Sequence, residues 1–420
     1  MTFFETLTVL IVMTALGGYI NYRRFHLPPR IGLMSIALVS SLALVIVGGV
    51  GAVDVVKYVK LIETIDFGEL VFHGFLPFLL FAGSLHVDLG DLRKVKWTVS
   101  ILSTVGTITS TFIVGMSFSY ASSWFGYHLP FTYALLFGAL ISPTDPIAVL
   151  GMIKTAGAPK ELQTPITGES LFNDGVGAVI FFTILGMATG HEEPSLPHMS
   201  LFFVQQALGG CVLGWILGWI VFRMARTVDN PHVEVLLSIA LCMGSYALAE
   251  LLHSSGPIAV VVAGLFLGNE GWKTAFSEQT RQYLTVFWEV IDEILNSVLF
   301  LLIGLEMLTI RIEGTYLVLG LIGIGCVLLG RAISVAIPIW MLHIGFGFPR
   351  STILLLIWGG LRGALSIALA LLLPAGAERE LILTVTYVIV IFSVLVQGTT
   401  FGRVLRRAMP TTSEMKGRGE

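Results

Sequence analysis

The sequence predicts an all-helical protein that crosses a membrane about thirteen times. Two observations predict this fold class: the apolar composition and the length of the apolar runs. Of the 420 residues, 55% are hydrophobic and only 12% are charged, and the mean hydropathy is +0.87. Apolar runs of roughly 20 residues, the length that spans a bilayer as a helix, recur along the whole chain. The basic residues form no patch that would indicate nucleic-acid binding.

Proline, glycine and charge clusters mark the boundaries between the apolar runs. We therefore expect one transmembrane unit over residues 1–410, followed by a short cytoplasmic tail at 411–420. The spans are expected near residues 4–21, 31–50, 69–87, 97–123, 130–153, 166–189, 199–222, 233–253, 256–269, 283–308, 315–342, 351–374 and 381–402. The ninth of them, 256–269, is short.

The distribution of Lys and Arg predicts the orientation, because cytoplasmic loops retain positive charge. With the N-terminus outside, most of the 24 basic residues fall in cytoplasmic segments. An even number of spans would disrupt this pattern, so we predict an outer N-terminus and a cytoplasmic C-terminus. The basic residues left in outer segments are Lys57, Lys60, Arg311 and Arg379, and those within spans are Arg331 and Arg362.

Two spans contain helix-breaking residues. In the fifth, "ALISPTDPIAVL", Pro143 and Pro146 flank Thr144 and Asp145, and a proline removes a backbone donor and clashes with the preceding turn. In the twelfth, "LIWGGLRGALSIAL", glycines surround Arg362. The two spans lie an odd number of crossings apart and run in opposite directions. This predicts an inverted repeat whose breaks meet, the arrangement that forms the binding site of many transporters.

The sixth span carries polar side chains that are costly inside a bilayer. In "GESLFNDGVGA", Ser170 and Asp174 are four residues apart and share one helix face, with Asn173 beside them. Their oxygens are hard ligands for a small cation, and Thr144 would add another from the fifth span. Burial disfavours a charged carboxylate, so Asp174 is expected to bind either a proton or a cation.

Other charged residues within spans have expected structural roles. Glu169 points away from the face of the predicted site, and a buried acid needs a base, so Arg362 is its predicted partner. Asp145 has two interpretations, which stay open: it compensates exposed backbone dipoles, or it approaches the cation. Arg331 is expected to neutralise an acid of the tenth span, which carries Glu289, Asp292, Glu293 and Glu306.

Several motifs carry a resemblance to a known family. "SPTDP" at 142–146, "GESLFND" at 168–174 and "GGLRGALS" at 359–366 resemble the cation:proton antiporter superfamily. The resemblance is to its electroneutral branch, which contains bacterial NhaP-type antiporters and animal sodium/hydrogen exchangers. "HSSGPIAVVVAGLFLGN" and "LFLLIGLEM", later in the chain, fit the same group. The resemblance implies a core of about spans 4–6 and 11–13 with two crossed broken helices, a dimerisation domain from the remaining spans, and a homodimer.

Matched to these motifs, Asp174 corresponds to the ion-binding acid and Asn173 to its neutral neighbour. Thr144 and Ser170 correspond to further ion-site groups. The resemblance therefore implies a transported Na⁺ bound by Asp174, Ser170 and Thr144, with Li⁺ or K⁺ as alternatives. It implies electroneutral one-for-one exchange against H⁺ by competition at Asp174, without a cofactor, in a bacterial inner membrane. The resemblance also implies a role in pH homeostasis and sodium transport.

The resemblance also implies that Glu169 and Arg362 form a structural ion pair. One position departs from the family pattern. Several relatives have an acid in the third span where this chain has Ala82 in "LLFAGSL". A contribution of that acid to ion binding therefore does not transfer to this chain.

Two alternative functions stay open on the sequence alone. A sodium-coupled solute symporter of similar architecture would need a cavity for an organic substrate. An intramembrane aspartyl protease would use Asp145 and Asp174 as paired acids, but it is expected to carry a "GxGD" motif, which this sequence lacks. We therefore expect a transporter and not an enzyme.

Overall fold

A computed structural model of the chain describes residues 3–49, 67–145, 153, 160–189, 196–308, 313–346 and 350–408. These residues are almost entirely helical and include no β-strand, which confirms the predicted fold class. The helices are α1 (Phe3–Ile20), α2 (Pro29–Gly49), α3 (Phe67–Leu85), α4 (Leu89–Lys94), α5 (Lys96–Ser123), α6 (Phe131–Ile141), α7 (Lys160–Ala188), α8 (Leu196–Ala225), α9 (Pro231–Leu251), α10 (Gly256–Phe266), α11 (Glu278–Glu306), α12 (Gly314–Phe346), α13 (Arg350–Trp358), α14 (Ala364–Leu371) and α15 (Ala377–Arg407).

Side-chain caps determine where several of these helices begin. The Asn230 side chain accepts a hydrogen bond from the His232 N–H, and proline follows it at the first position of α9. Ser255 and Ser277 cap α10 and α11 in the same way, accepting from backbone N–H groups three residues ahead. These residues satisfy donors that would otherwise be unpaired in the first turn.

Seven helices among the described residues are long and apolar enough to cross a membrane: α3, α5, α7, α8, α9, α12 and α15. The apolar parts of α1 and α2 meet at a bend of 105°. Interrupted spans give shorter helices, as α6, α13 and α14 show. The number thirteen stays a prediction, and most of residues 146–153 and the predicted tail at 411–420 lie outside the described residues.

The chain divides into two compact units. The first unit contains Met1–Asp88, Glu193–Tyr316 and Ile367–Tyr387. The second contains Leu89–Glu192, Leu317–Ser366 and Val388–Glu420. Each unit is therefore assembled from segments that are distant in the sequence.

Within the first unit, close packing and an ion pair join α2 to α11. Ser41 donates a hydrogen bond to the Gly304 carbonyl at 2.9 Å. Arg30 pairs with Asp292 at 3.0 Å and lies 3.7 Å from Glu293. The prediction that Arg331 neutralises an acid of this helix is therefore wrong for Asp292, whose partner is Arg30.

Within the second unit, glycine allows α5 and α6 to approach closely. A Cβ atom on Gly138 would overlap the Thr111 carbonyl, and one on Gly115 would lie 2.6 Å from the Ala134 carbonyl oxygen. Small residues at such contacts are typical of membrane helices, which associate through close packing and not through exclusion from water. This contact holds α6, which leads directly into the predicted site.

Substitution of Gly138 by Ala is expected to destabilise the protein by about 1 to 3 kcal/mol, because its Cβ has no space and the facing atoms are backbone. Gly325→Ala is the matched control in α12 of the same unit, where a Cβ would meet no atom within 4 Å. Melting temperatures of the purified variants in one detergent give the comparison. A Gly138→Ala variant that melts with Gly325→Ala would contradict the close contact.

Candidate ion-binding site

The two predicted helix breaks are present in the second unit, and they touch. The fifth span leaves helical geometry at Ser142, and the residues from Pro143 to Asp145 are non-helical. In the twelfth span, the break runs over Gly359–Gly363. The Asp145 N–H donates to the Leu361 carbonyl at 2.8 Å, which joins the two irregular segments directly. Backbone groups released from helical bonding are thus paired with each other, as a membrane interior requires.

Arg362, in the second break, donates hydrogen bonds to the backbone of the first break. Its guanidinium donates to the Ser142 carbonyl and, at 2.9 Å, to the Pro143 carbonyl, both at the C-terminal end of α6. A positive charge there compensates the negative end of the helix dipole. The backbone N–H of Arg362 donates to the Ser393 hydroxyl at 2.8 Å. The guanidinium is fully buried, and its Nε and Nη2 atoms have no hydrogen-bond partner among the described residues.

Three of the predicted site residues form a closed hydrogen-bond network. The Thr144 hydroxyl lies 2.9 Å from the Ser170 hydroxyl and accepts a bond of 2.9 Å from the Asn173 amide. The Asn173 amide oxygen accepts in turn from the Thr144 N–H at 3.2 Å. All three side chains are buried. Asn173 therefore bonds both the backbone N–H and the hydroxyl of Thr144, and it holds this residue of the first break against α7.

Asp174 follows this network on α7 and is only partly buried. Its carboxylate makes no hydrogen bond or ion pair with any residue that the structure describes. The charge of Asp145 acts on it, so the two carboxylates are close enough to interact electrostatically. An acid with no ionic partner among the described residues, one helical turn along α7 from Ser170, is suited to hold a small cation or a proton.

Asp145 packs against the second helix break. A Cβ atom on Gly363 would meet the Asp145 side chain at 2.9 Å, so this carboxylate packs directly before the first residue of α14. The first N–H groups of a helix are unpaired and carry partial positive charge. Both predicted roles of Asp145, dipole compensation and approach to the cation, stay predictions.

The predicted partner of Glu169 is wrong. Both oxygens of Glu169 accept bonds from the guanidinium of Arg331 and not from Arg362. Arg331 also donates through Nε and Nη2 to the Leu356 carbonyl near the end of α13, at 3.1 and 2.9 Å. Arg362 is committed to the carbonyls of α6, although it remains within electrostatic range of Glu169. Each arginine thus caps the C-terminal end of one interrupted helix.

Sequence reasoning missed Gly177, the space that Gly360 leaves within the second break, and Ser393. Gly177, one turn after Asp174, leaves the space that the Pro143 ring fills. Gly360 leaves space for the Arg331 guanidinium, and Ser393 supports the backbone of the second break. The glycines in "NDGVGA" and "GGLRG" carried the signal for the first two, because a glycine in an apolar span often marks a close approach.

Comparison with known proteins identifies the family. A model described as "Sodium/hydrogen exchanger, transmembrane" matches residues 11–407. The chain belongs to the sodium/hydrogen exchanger family. It is therefore a member of a family of membrane transporters and not of enzymes.

Relatives of this sodium/hydrogen exchanger family member match it over most of their length. The Na(+)/H(+) antiporter NhaP of Pseudomonas aeruginosa is 48% identical over 411 residues, 96% of each chain. The Na(+)/H(+) antiporter NhaH of Halobacillus aidingensis is 37% identical over 381 residues, 87% of this chain and 91% of that protein. The solved structure of the sodium proton antiporter MjNhaP1 from Methanocaldococcus jannaschii covers 98% of this chain, with a TM-score of 0.78 at 21% identity. That likeness shows the fold.

Proposed function

We propose that the chain is a secondary antiporter that exchanges Na⁺ for H⁺ across the membrane. The arrangement of Asp174 carries this proposal. This partly buried carboxylate has no protein counter-charge among the described residues, and it lies one turn along α7 from Ser170, whose hydroxyl contacts Thr144 at the helix crossing. The names of the relatives NhaP and NhaH, both Na(+)/H(+) antiporters, support the choice of substrates.

In this mechanism, Asp174 binds either a proton or a cation in each half of the cycle. Thr144 and Ser170 supply neutral oxygens to the cation, and Asn173 holds Thr144 in place through its two hydrogen bonds. Asp145 and Arg362 stabilise the crossing through the ends of α14 and α6. The Glu169–Arg331 pair has a structural role, because each of its charges already has a partner.

The exchange is proposed to be electroneutral. Asn173 precedes Asp174, so the site has one titratable carboxylate at this position on α7 and not two. If one proton and one monovalent cation compete for it, each cycle moves no net charge. A membrane potential contributes about 2.3 kcal/mol per net charge per 100 mV, so it should not drive such an exchanger.

The division into two units supports an assignment of the transport core and the dimerisation domain. The second unit contains every residue of the proposed site, and it would be the transport core. The first unit would then contain the dimerisation domain of a homodimer. The positive-inside distribution favours an outer N-terminus in a bacterial inner membrane, with the proposed site opening alternately to each side.

Purified protein in proteoliposomes with a trapped pH dye tests the proposal. Addition of Na⁺ outside acid-loaded vesicles, with no organic solute present, is expected to raise the internal pH, and Li⁺ and K⁺ are tested separately. With Na⁺ and H⁺ gradients balanced, a potential set by K⁺ and valinomycin should move no protons. The absence of any cation response would refute the antiporter, whereas sustained voltage-driven proton flux above that of protein-free vesicles would refute electroneutrality alone.

A further inference from the structure

A buried segment of α15 holds the second helix break. Residues Ser393–Gly398 form a π-helical turn, a rare geometry that is frequent at functional sites. The Ser393 hydroxyl accepts a hydrogen bond of 2.8 Å from the Arg362 N–H. One turn further on, the Gln397 amide donates a bond of 3.3 Å to the Trp358 carbonyl. Both polar side chains are buried, and together they bond the chain near the two ends of the break.

A single peptide group connects Ser393 to the first break. The N–H that donates to Ser393 belongs to the peptide unit between Leu361 and Arg362. The carbonyl of the same unit accepts the 2.8 Å bond from the Asp145 N–H. A peptide unit is planar, and its N–H and carbonyl point in opposite directions, so a bond at one end restrains the orientation of the other. Ser393 therefore restrains the carbonyl that anchors Asp145.

The first break is held in a corresponding way. Asn173 on α7 accepts from the Thr144 N–H, 29 residues earlier in the chain, and Ser393 accepts from the Arg362 N–H, 31 residues earlier. In both cases, a buried polar side chain of the span that follows the interrupted one bonds a backbone N–H of the break. The two pairs correspond under the predicted inverted repeat. Asn173 positions Thr144 in the proposed site, and the correspondence indicates a similar task for Ser393.

We propose that Ser393 is a positioning residue of the cation site, which it affects through the peptide unit of Leu361 and Arg362. This inference rests on the antiporter function proposed above. Without the hydroxyl, the Arg362 N–H loses its acceptor and the peptide unit is free to turn. The Asp145 N–H then loses a fixed acceptor, and the adjoining Thr144 oxygen is held less precisely. Cation binding requires ligand oxygens at fixed positions, so it weakens.

Sodium-driven proton flux in proteoliposomes, measured over a range of Na⁺ concentrations, separates binding from turnover. Ser393→Ala is expected to raise the half-saturating Na⁺ concentration about two- to tenfold, as the loss of one neutral hydrogen bond predicts. The maximal rate should change less than about twofold, because the titrating carboxylate is intact. Gln397→Met removes the longer of the two bonds, and it should raise the half-saturating concentration by a smaller factor.

Ser245→Ala is the matched control for both measurements. Ser245 is as completely buried as Ser393, but it lies on α9 in the other unit, and its hydroxyl bonds carbonyls of its own helix at 2.6 and 3.1 Å. This variant should keep the wild-type half-saturating concentration. An unchanged value in Ser393→Ala, or an equal rise in Ser245→Ala, would overturn the proposal.

Hydrogen exchange of the full-length protein in nanodiscs tests the same link without transport. Pro143 and Pro146 have no amide hydrogen, so the segment between them reports on Thr144 and Asp145. Ser393→Ala is expected to speed exchange there about two- to tenfold, while the amides of α9 keep their wild-type rates. Unchanged exchange at the first break would refute the role of Ser393, and an equal increase in α9 would show general destabilisation instead.

The two measurements distinguish this proposal from the proposed function. A wild-type protein without any sodium response would refute the antiporter, and exchange at Asp145 would still decide whether Ser393 holds the first break. A normal sodium response with no effect of Ser393→Ala on half-saturation would refute the positioning role alone. If Ser393→Ala does not yield folded protein, Gln397→Met decides the outcome by the same two measurements.

Discussion

Replacement of Asp174 by Asn is expected to abolish cation-dependent proton flux while the protein stays folded. The amide has almost the same shape as the carboxylate, and the Asp174 carboxylate makes no hydrogen bond or ion pair within the described part of the chain whose loss would affect folding. An amide neither binds nor releases a proton near neutral pH, and it provides no negative charge for a cation. Both halves of the exchange should therefore fail together.

The measurement is Na⁺-induced alkalinisation of acid-loaded proteoliposomes, with equal amounts of folded protein confirmed by melting temperature. Glu289→Gln is the matched control, an acid-to-amide change at an exposed position on α11 in the other unit. The control should retain wild-type flux. Normal flux in Asp174→Asn would show that the transported ion binds elsewhere, and the antiport site would have to be reassigned.

Removal of either member of the Glu169–Arg331 pair is expected to destabilise the protein by about 3 to 5 kcal/mol, because the remaining buried charge loses its partner. Arg331→Ala also removes two hydrogen bonds to the Leu356 carbonyl, so it should be the more harmful of the two. The double variant should be less harmful than the two single changes added together. Unfolding of the purified variants, by heat or denaturant, gives these values.

A second cycle between Glu169 and Arg362 distinguishes the two possible partners. The observed hydrogen bonds predict a coupling energy of about 0.5 to 3 kcal/mol for Glu169 with Arg331, and a smaller one for Glu169 with Arg362. Arg362→Ala should instead loosen the end of α6, because the Ser142 and Pro143 carbonyls lose their donor. A larger coupling to Arg362 than to Arg331 would contradict the pairing seen in the structure.

Much of the site was predictable because its signals are local in the sequence. The paired prolines around Thr144 and the cluster of glycines around Arg362 mark both breaks, so the breaks could be located without tertiary information. A single proline is a weaker signal, since Pro165 and Pro338 lie inside continuous helices. Helical spacing alone places Ser170 and Asp174 on one face of α7. The membrane also reduces the alternatives, because an uncompensated polar side chain is costly there, and each one therefore indicates a function or a partner.

The sequence by itself thus determined the all-helical membrane fold, the two interrupted spans and the polar face of α7. Only the tertiary structure decided which arginine pairs with Glu169. Arg331 and Arg362 are both long basic side chains within spans, and sequence separation carries no information about which helix packs against α7. The choice follows from packing: Arg362 reaches the carbonyls of α6, and Gly360 opens the space through which Arg331 reaches Glu169. A guanidinium bonds the acceptors within its reach, and that reach is a property of the assembled helices.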